Sequence, residues 1–411
     1  MAKQNKPAIR FKGFTDAWEQ RKLGEIVERI TRKNENLEST LPLTISAQYG
    51  LIDQNEFFDK RIASKDVSGY FLVKNGEFAY NKSTSSDAPW GAIKRLDRYE
   101  SGVLSTLYIV FKILDERKTS SDYIVTYYNT DLWHKGIQAI AAEGARNHGL
   151  LNVAPADFFE TNLTMPKDYA EQQQIGSFFQ QLDHLITLHQ RKYDKLQVLK
   201  KAMLEKMFPK NGSSVPEIRF KGFTDAWEQR KVGDLLIERN QQAPMSDEYP
   251  LMAFIANEGV APKGERYDRS ALVTDTVNKL YKKTEKGDFI YSSNNLETGS
   301  IGLNKYGKAC ISPVYSIFEP TGIADSDFLG RRLVRKDFIN TMVKWRQGVI
   351  YGQWRIHESD FLKIEIAVPS VEEQRKIGTY LDQLDNLITL HQRELEKLQN
   401  IKKSMLEKMF A

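Results

Sequence analysis

The 411-residue sequence contains a single cysteine, Cys310, and only six histidines. One thiol excludes an intrachain disulfide and a zinc site built from several cysteines, and this usage is typical of the reducing cytoplasm. Cys310 lies in the strand-like segment Ala-Cys-Ile-Ser-Pro, so we interpret it as a small core residue rather than a nucleophile. The polar N-terminus predicts no signal peptide, and no segment approaches the ~18 apolar residues of a membrane span. We therefore expect a cytoplasmic protein.

The sequence motifs of several enzyme classes are also missing. No glycine-rich dinucleotide fingerprint follows a strand, no Asn-Pro-Pro-Tyr or Asp-Pro-Pro-Tyr motif of the amino-methyltransferases occurs, and no His-Glu-x-x-His or paired His/Cys cluster suggests zinc. The segment from Gly76 to Ser83 approaches a phosphate-binding loop, but Asn81 replaces the required glycine and the residues after it do not start a helix. The sequence thus offers no positive sign of catalysis, of a cofactor or of a metal.

What the chain does contain is an internal repeat. Residues 10–22 return unchanged as residues 219–231, and residues 182–191 return as 384–393 with one difference. Identity over such lengths indicates two copies of one unit. Between these ends, residues 24–160 and 233–363 share an order of strands and helices but differ in residue content. One scaffold therefore carries two different inserts.

Two long helices are predicted, at residues 171–208 and 372–410. In each, apolar residues follow one another mostly at steps of three and four, which is typical of a coiled-coil seam. His189 and His391 fill the one gap in each stripe, and we interpret them as residues that set the register rather than as metal ligands or catalysts. At 1.5 Å per residue, each helix is about 57 Å long. The predicted helix-pair seam residues are Leu182, Ile186, Leu196, Leu384, Ile388 and Leu398, and the stripe also includes Leu199 and Ile401.

An apolar stripe of this length needs a partner, and the other copy in the same chain is the nearest one. Pro209 ends the first helix sharply, and the domain that follows allows the second helix to return antiparallel. The expected fold class is α+β: two mixed α/β domains separated by an antiparallel two-helix coiled coil, with an internal pseudo-two-fold repeat. The expected boundaries are residues 1–165 and 211–368 for the two domains, each including its copy of the repeated segment, and 166–210 and 369–411 for the helices.

Two local expectations concern shorter elements. Asp16 and Asp225 are each expected to cap a helix that starts near Trp18 or Trp227, within a segment that packs its aromatic side chains on the scaffold rather than contacting a ligand. Further helices are expected at residues 123–142 and 338–346.

Polar loops in each domain are candidates for contact with DNA. The loops that follow the helices at 123–142 and 338–346 combine glycine with side chains that hydrogen-bond base edges or phosphates, and two loops elsewhere are similarly polar. The candidate DNA-binding residues are Lys82, Ser83, Thr84, Ser85, Arg146, Asn147, His148, Asn294, Asn295, Tyr351, Gln353 and Arg355. Ordinary solvated loops are the alternative interpretation of each. The net charge of +5 permits nucleic-acid binding without requiring it.

The order of variable domain, long helix, variable domain and long helix resembles a known family. The joints Met165-Pro…Glu171-Gln-Gln-Gln-Ile-Gly176 and Val368-Pro…Glu373-Gln-Arg-Lys-Ile-Gly378 add to this resemblance, which covers essentially the whole chain. The chain is similar to the DNA specificity subunit of type I restriction–modification systems. The resemblance implies that each variable domain is a target recognition domain that reads one half of a bipartite sequence in double-stranded DNA, and that the helices set the distance between the halves.

The resemblance also implies partners. Two modification subunits, which carry the methyltransferase chemistry, would dock on the helices, and restriction subunits with translocase and nuclease activity would join that core. The chain itself would be non-catalytic and without cofactors, since S-adenosylmethionine, ATP and magnesium would belong to the partner subunits.

Unlike inserts on identical joints predict an asymmetric target with two unlike half-sites. The alternative is a DNA-modifying enzyme acting alone, which methyl transfer by the purified chain would reveal. A coiled-coil scaffold without DNA contact is a third hypothesis. It predicts that exchanging residues 24–160 leaves the methylated sites unchanged.

Overall fold

A computed structural model of the chain describes residues 7–46, 49–60, 62–86, 88–141, 149–210, 213–262, 279–349 and 353–410. The chain forms two units: Met1–Gln190 together with Arg393–Ala411, and Arg191–Gln392. Both contain strands and helices, so the fold is mixed α/β. Within the described ranges, no helix is both long and apolar enough to cross a membrane.

The first copy of the repeat begins with short strands and ends with a long helix. Its elements are β1 (Glu19–Lys22), a 3-10 helix (Leu23–Glu25), β2 (Val27–Ile30), β3 (Leu43–Ser46), β4 (Gly50–Asp53), α1 (Gln54–Phe58), β5 (Phe71–Lys74), β6 (Phe78–Asn81), β7 (Ala92–Arg95), β8 (Ser101–Leu104), β9 (Ile109–Ile113), α2 (Ser121–Tyr128), α3 (His134–Ile140), α4 (Pro155–Phe159), β10 (Asn162–Met165) and α5 (Tyr169–Lys206).

The second copy follows the same order with more short strands. Its elements are β11 (Glu228–Lys231), α6 (Val232–Leu235), β12 (Leu236–Glu238), β13 (Gln242–Ala243), β14 (Ala253–Ile255), β15 (Gly259–Ala261), β16 (Tyr281–Thr284), β17 (Phe289–Tyr291), β18 (Ile301–Leu303), β19 (Ala309–Ile311), β20 (Ser316–Pro320), α7 (Ser326–Arg332), α8 (Lys336–Val343), β21 (Gln347–Val349), β22 (Gln353–Arg355), α9 (Glu358–Phe361), β23 (Glu365–Val368) and α10 (Val371–Met409).

Each copy is built around a four-stranded antiparallel sheet. The strand order is β2-β9-β6-β7 in the first copy and β12-β20-β17-β18 in the second. Buried phenylalanines face each other at the same place in both sheets, Phe78 opposite Phe111 and Phe289 opposite Phe318. The divergent middles of the repeat therefore each form a sheet of the same topology, with buried phenylalanines paired at the same positions.

The repeated segment forms a strand where a helix was expected. No helix begins at Trp18 or Trp227, so the prediction that Asp16 and Asp225 cap helices there is wrong. Instead β1 and β11 pair antiparallel with β10 and β23, the strands that precede the long helices. The two tryptophans are buried in the cores of their units, and strand pairing satisfies the backbone groups that follow them.

A glycine near the start of each long helix lets another helix approach closely. A Cβ atom at Gly176 would lie 2.7 Å from the backbone of Asp122 and Tyr123, and one at Gly378 would lie 2.6 Å from the Asp325 carboxylate. Glutamines one turn earlier in the long helices, Gln172 and Gln374, accept from the backbone N–H groups of Ser120 and Asp325, at 2.9 Å and 3.0 Å. These contacts fix α2 on α5 and α7 on α10.

The helix expected at residues 123–142 is in fact two helices, α2 and α3. The hydroxyl of Thr130 donates to the carbonyl of Tyr127 over 2.7 Å and so competes with continuation of α2. Its counterpart, α8, ends at Val343 rather than at residue 346.

Within each unit, one long helix packs on a segment of the other. In the first unit Leu398 and Met405 pack against the core that contains Leu182, and in the second Leu196 and Met203 pack against the core that contains Leu384. Ile388 is buried and Ile186 half-buried.

Two members of the predicted stripe, Leu199 and Ile401, are exposed at 37% and 38%. Lys200 and Lys402 occupy the stripe position instead. Each lies four residues after a leucine of the stripe, Leu196 or Leu398, and three residues before a methionine. Each forms an ion pair across the helices, Lys200 with Asp385 and Lys402 with Asp183, both at 2.5 Å.

Candidate nucleic-acid interface

In the first unit, the loop after β6 lies beside the segment that starts at Gly149. The backbone N–H and the hydroxyl of Thr84 both donate to the carbonyl of Gly149, at 2.7 Å and 3.0 Å, and the N–H of Leu151 donates to the carbonyl of Lys82 at 2.9 Å. Gly149 has a φ of +76°, a left-handed conformation that glycine adopts without strain. Residues 82–85 thus lie next to the segment that directly follows Arg146, Asn147 and His148, which are themselves outside the described residues.

The four candidate residues of this loop are used differently. Ser83 and Ser85 are exposed, whereas Thr84 holds the loop to Gly149. The ammonium group of Lys82 lies 3.5 Å from the carbonyl of Val153, and burial lowers the pKa of this lysine. The loop therefore presents hydroxyl groups to solvent on a backbone that is fixed at both ends.

In the second unit, the loop after β17 is held against β22. The Oγ of Ser293 accepts from the N–H of Ile356 at 3.0 Å, and the Oδ1 of Asn294 accepts from the N–H of Trp354 at 2.6 Å. Arg346 donates to the carbonyl of Ser293 at 3.1 Å and makes two contacts with the Glu297 carboxylate, at 2.9 Å and 2.8 Å. The guanidinium of Arg346 lowers the pKa of Glu297 through these hydrogen bonds.

The candidate residues of this loop also differ in their contacts. Asn295 is exposed, and so is Asn294, but the Oδ1 of Asn294 already binds the backbone of Trp354. Arg355 is exposed and lies 3.6 Å from the Glu358 carboxylate, a contact too long to immobilise it. Tyr351 lies outside the described residues, and the side chain of Gln353 is not described either.

Trp354 and Arg346 are not among the candidate residues predicted from the sequence. Trp354 is 48% exposed and stands opposite Gly348 in the hairpin β21–β22, while Arg346 ties that hairpin to the loop after β17. Successive residues of a strand point to opposite faces, so Trp354 and Arg355 do not share a face. A large aromatic side chain within a polar, glycine-containing loop was the one available signal for Trp354.

The two polar loops occupy the same place in their units. Each follows the third strand of the four-stranded sheet, β6 or β17, and each meets the segment that leads into the last short helix, α4 or α9. Residues far apart in sequence thus converge on one surface in each unit, with different side chains at equivalent positions. Across the described part of the chain, no group of three or more His, Cys, Asp or Glu is placed to hold a metal ion.

Comparison with known proteins shows which family this chain is similar to. The model of the type I restriction modification DNA specificity domain matches residues 224–400. Two curated proteins of Methanocaldococcus jannaschii match along nearly the whole length. The one named type I restriction enzyme MjaX specificity subunit is 23% identical over 95% of this chain and 92% of its own, and the MjaVIII specificity subunit is 22% identical over 95% and 91%.

The chain is therefore similar to DNA specificity subunits of type I restriction–modification systems. Its fold is also similar to that of a solved structure, the S subunit of a type I restriction–modification system from M. genitalium. That alignment covers 99% of both chains with a TM-score of 0.58 and 14% sequence identity.

Proposed function

We propose that this chain is a non-catalytic DNA specificity subunit of a type I restriction–modification system and that it reads an asymmetric bipartite DNA sequence, one half with each unit. The observation that carries the proposal is the pair of polar loops after β6 and β17. They stand at equivalent positions of one fold, are fixed by hydrogen bonds at their ends, and present different side chains. Hydroxyl, amide and guanidinium groups on a fixed backbone can discriminate base edges, and different groups select different half-sites. The candidate DNA-binding residues of both units remain part of this proposal.

We further propose that α5 and α10 form an antiparallel coiled coil that separates two recognition domains with the boundaries given above. In the first unit Trp18 contacts both the Glu171 side chain, near the start of α5, and Phe410, at the end of α10. The ion pair between Asp183 and Lys402 supports the same direction. In the second unit, Asp385 pairs with Lys200 in the same way.

The partners of the chain would be two modification subunits, with restriction subunits added to that core. Two equivalent binding sites for the modification subunits are supported by exposed leucines that recur in both copies, Leu185 and Leu188 on α5, and Leu387 and Leu390 on α10. Equivalent apolar side chains at two places suit two copies of one partner. S-adenosylmethionine, ATP and magnesium would bind in these partners, and the assembly would act on DNA in the cytoplasm.

The test is an exchange of one recognition domain within the complete system. Residues 24–160 are replaced by the corresponding segment of another specificity subunit, and the methylated adenines in cells are mapped by sequencing. We expect one half of the target to change and the other half to stay. The reciprocal exchange of residues 233–363 is the matched control and should change the opposite half.

Two outcomes would contradict the proposal. An unchanged target after both exchanges would indicate a scaffold without DNA contact. Methyl transfer by the purified chain, without any partner, would indicate the alternative function of a DNA-modifying enzyme that acts alone.

A further inference from the structure

One carboxylate joins three elements of the second unit. The Oδ1 of Asp385, on α10, lies 2.5 Å from the ammonium group of Lys200 on α5. Its Oδ2 accepts from the guanidinium of Arg331 on α7, at 2.6 Å. Arg331 is nearly buried, with 13% of its side chain exposed, so this contact is protected from water and salt more than a surface pair. Asp385 thus connects both long helices to the recognition domain.

A neighbouring carboxylate strengthens the connection between α10 and the domain. Asp382, one turn earlier, binds Lys305 at 2.6 Å and lies 3.8 Å from Arg331. Lys305 follows β18, and Arg331 lies at the end of α7, so two separate elements of the domain are tied to the same face of α10. Burial raises the pKa of Asp385, but the hydrogen bond from Lys200 and the charge of Arg331 outweigh it, and the net pKa is lowered.

The described part of the first unit has the equivalent ion pair between the long helices but lacks this bridge to its domain. Asp183 is the repeat counterpart of Asp385, and it binds Lys402 at the same 2.5 Å. Gln180 stands in place of Asp382. Counted from the helix caps Ser120 and Asp325, which begin α2 and α7, the position of Arg331 is occupied by Thr126.

Lys94 is a basic residue of the first domain that is affected by the charge of Asp183, but its ammonium group makes a different contact. Its ammonium group donates to the Oδ1 of Asn129 at 2.8 Å, and Asp183 acts on it only through its charge. Among the described residues, Lys402 is therefore the direct ion-pair partner of Asp183, and no cation of the first domain joins it.

We propose that Asp385 is a positioning residue, which fixes the orientation of the second recognition domain on its helices and thereby the number of unread base pairs that the complex accepts between half-sites. This rests on the proposed function. Half-site spacing follows from the distance between the two recognition domains, and the more rigidly they are held, the more strictly one spacing is preferred. A charge-assisted bridge with both carboxylate oxygens engaged restricts rotation of the domain. Asp385 acts through Arg331.

The test compares Asp385→Asn with Asp183→Asn in the complete methyltransferase complex. Each variant loses one of the two equivalent Lys–Asp pairs between the helices, but only Asp385→Asn also loses the bridge to a recognition domain. The methylation rate is measured on the native target and on targets with one base pair added to or removed from the spacer. For Asp385→Asn we expect the preference for the native spacer to fall about tenfold, the scale of one lost charge-assisted hydrogen bond. For Asp183→Asn we expect it to stay near that of the wild type.

A second variant guards against a purely structural effect. Arg331→Gln should relax the preference as Asp385→Asn does, and combining the two should add little, because they remove one bridge. An equal effect of Asp183→Asn, or an unchanged preference in Asp385→Asn and Arg331→Gln, would overturn the proposal. Failure of the proposed function is distinguishable, since the wild-type complex would then have no bipartite target at all.

Discussion

Arg10 forms a two-point ion pair with Glu171, whose side chain is completely buried. The Nε and Nη2 of Arg10 donate to the two carboxylate oxygens at 2.6 Å and 2.7 Å, and the indole of Trp18 donates to the same carboxylate at 3.3 Å. The hydrogen bond with Glu171 raises the pKa of Arg10. The repeated segment is thereby tied to the first turn of α5.

Glu171→Gln should destabilise the first unit by about 3 kcal/mol, because a nearly buried guanidinium loses its countercharge. The measurement is the free energy of unfolding from urea denaturation, followed by a probe in that unit. Glu19→Gln is the control. Its partner Arg21 is partly exposed, so we expect a loss below about 1 kcal/mol. Equal losses in the two variants would contradict the importance of burial.

The counterpart pair allows a finer comparison. Arg219 binds Glu373 at 2.7 Å through two nitrogens, but the indole N–H of Trp227 has no acceptor among the described residues. In urea denaturation, Glu373→Ala should therefore cost about 1 kcal/mol less than Glu171→Ala, because only Glu171→Ala also removes the acceptor of a tryptophan indole, a hydrogen bond of about that value.

Gly176→Ala should destabilise the chain by about 1–3 kcal/mol, since its Cβ would meet the backbone of α2 rather than a flexible side chain. Thermal unfolding measures the loss. Gly136→Ala is the matched control on α3, where the nearest atoms lie at 3.6 Å. In an open helix alanine is favoured over glycine, so this variant should gain up to about 1 kcal/mol. A gain in both variants would show that α2 does not need the close approach.

The contribution of Asp385 should depend on pH in a defined direction. Its pKa in the folded chain is lowered from the ordinary value of 3.8, so the ionised form is favoured by folding. The stabilisation is present above that value and is lost as pH falls through the lower, folded-state value. The difference in unfolding free energy between wild type and Asp385→Asn should therefore be constant near pH 7 and shrink toward pH 3. A difference that grows on acidification would contradict this sign.

The scaffold could be predicted from the sequence to a large extent, because its signals are local. Identity between residues 10–22 and 219–231 revealed the repeat, and the apolar steps revealed both long helices. The errors came where tertiary contacts decide. Asp16 is a good helix cap by type, yet the backbone after Trp18 pairs with β10. Leu199 is apolar but exposed, whereas the neighbouring Lys200 faces the other long helix and pairs there with Asp385.

The candidate site was less accessible to such reasoning. Composition indicated which loops are polar, and these remain predictions as DNA contacts. It could not indicate that Thr84 would be held by Gly149, or that the amide oxygen of Asn294 would bind the backbone of Trp354. Both contacts join residues about sixty positions apart, and their pairing depends on where the sheet places each loop end.

The pairing of β1 with β10, and of β11 with β23, places the entry and exit of each insert side by side. Lys22 faces Asn162, and Lys231 faces Glu365. A segment whose two ends are neighbours can be exchanged for another of different length without moving the helix that follows. If the inserts read DNA and the long helices bind the partner subunits, as we propose, new target sequences could arise in evolution by replacing one insert at a time, while the partner-binding surface is inherited unchanged.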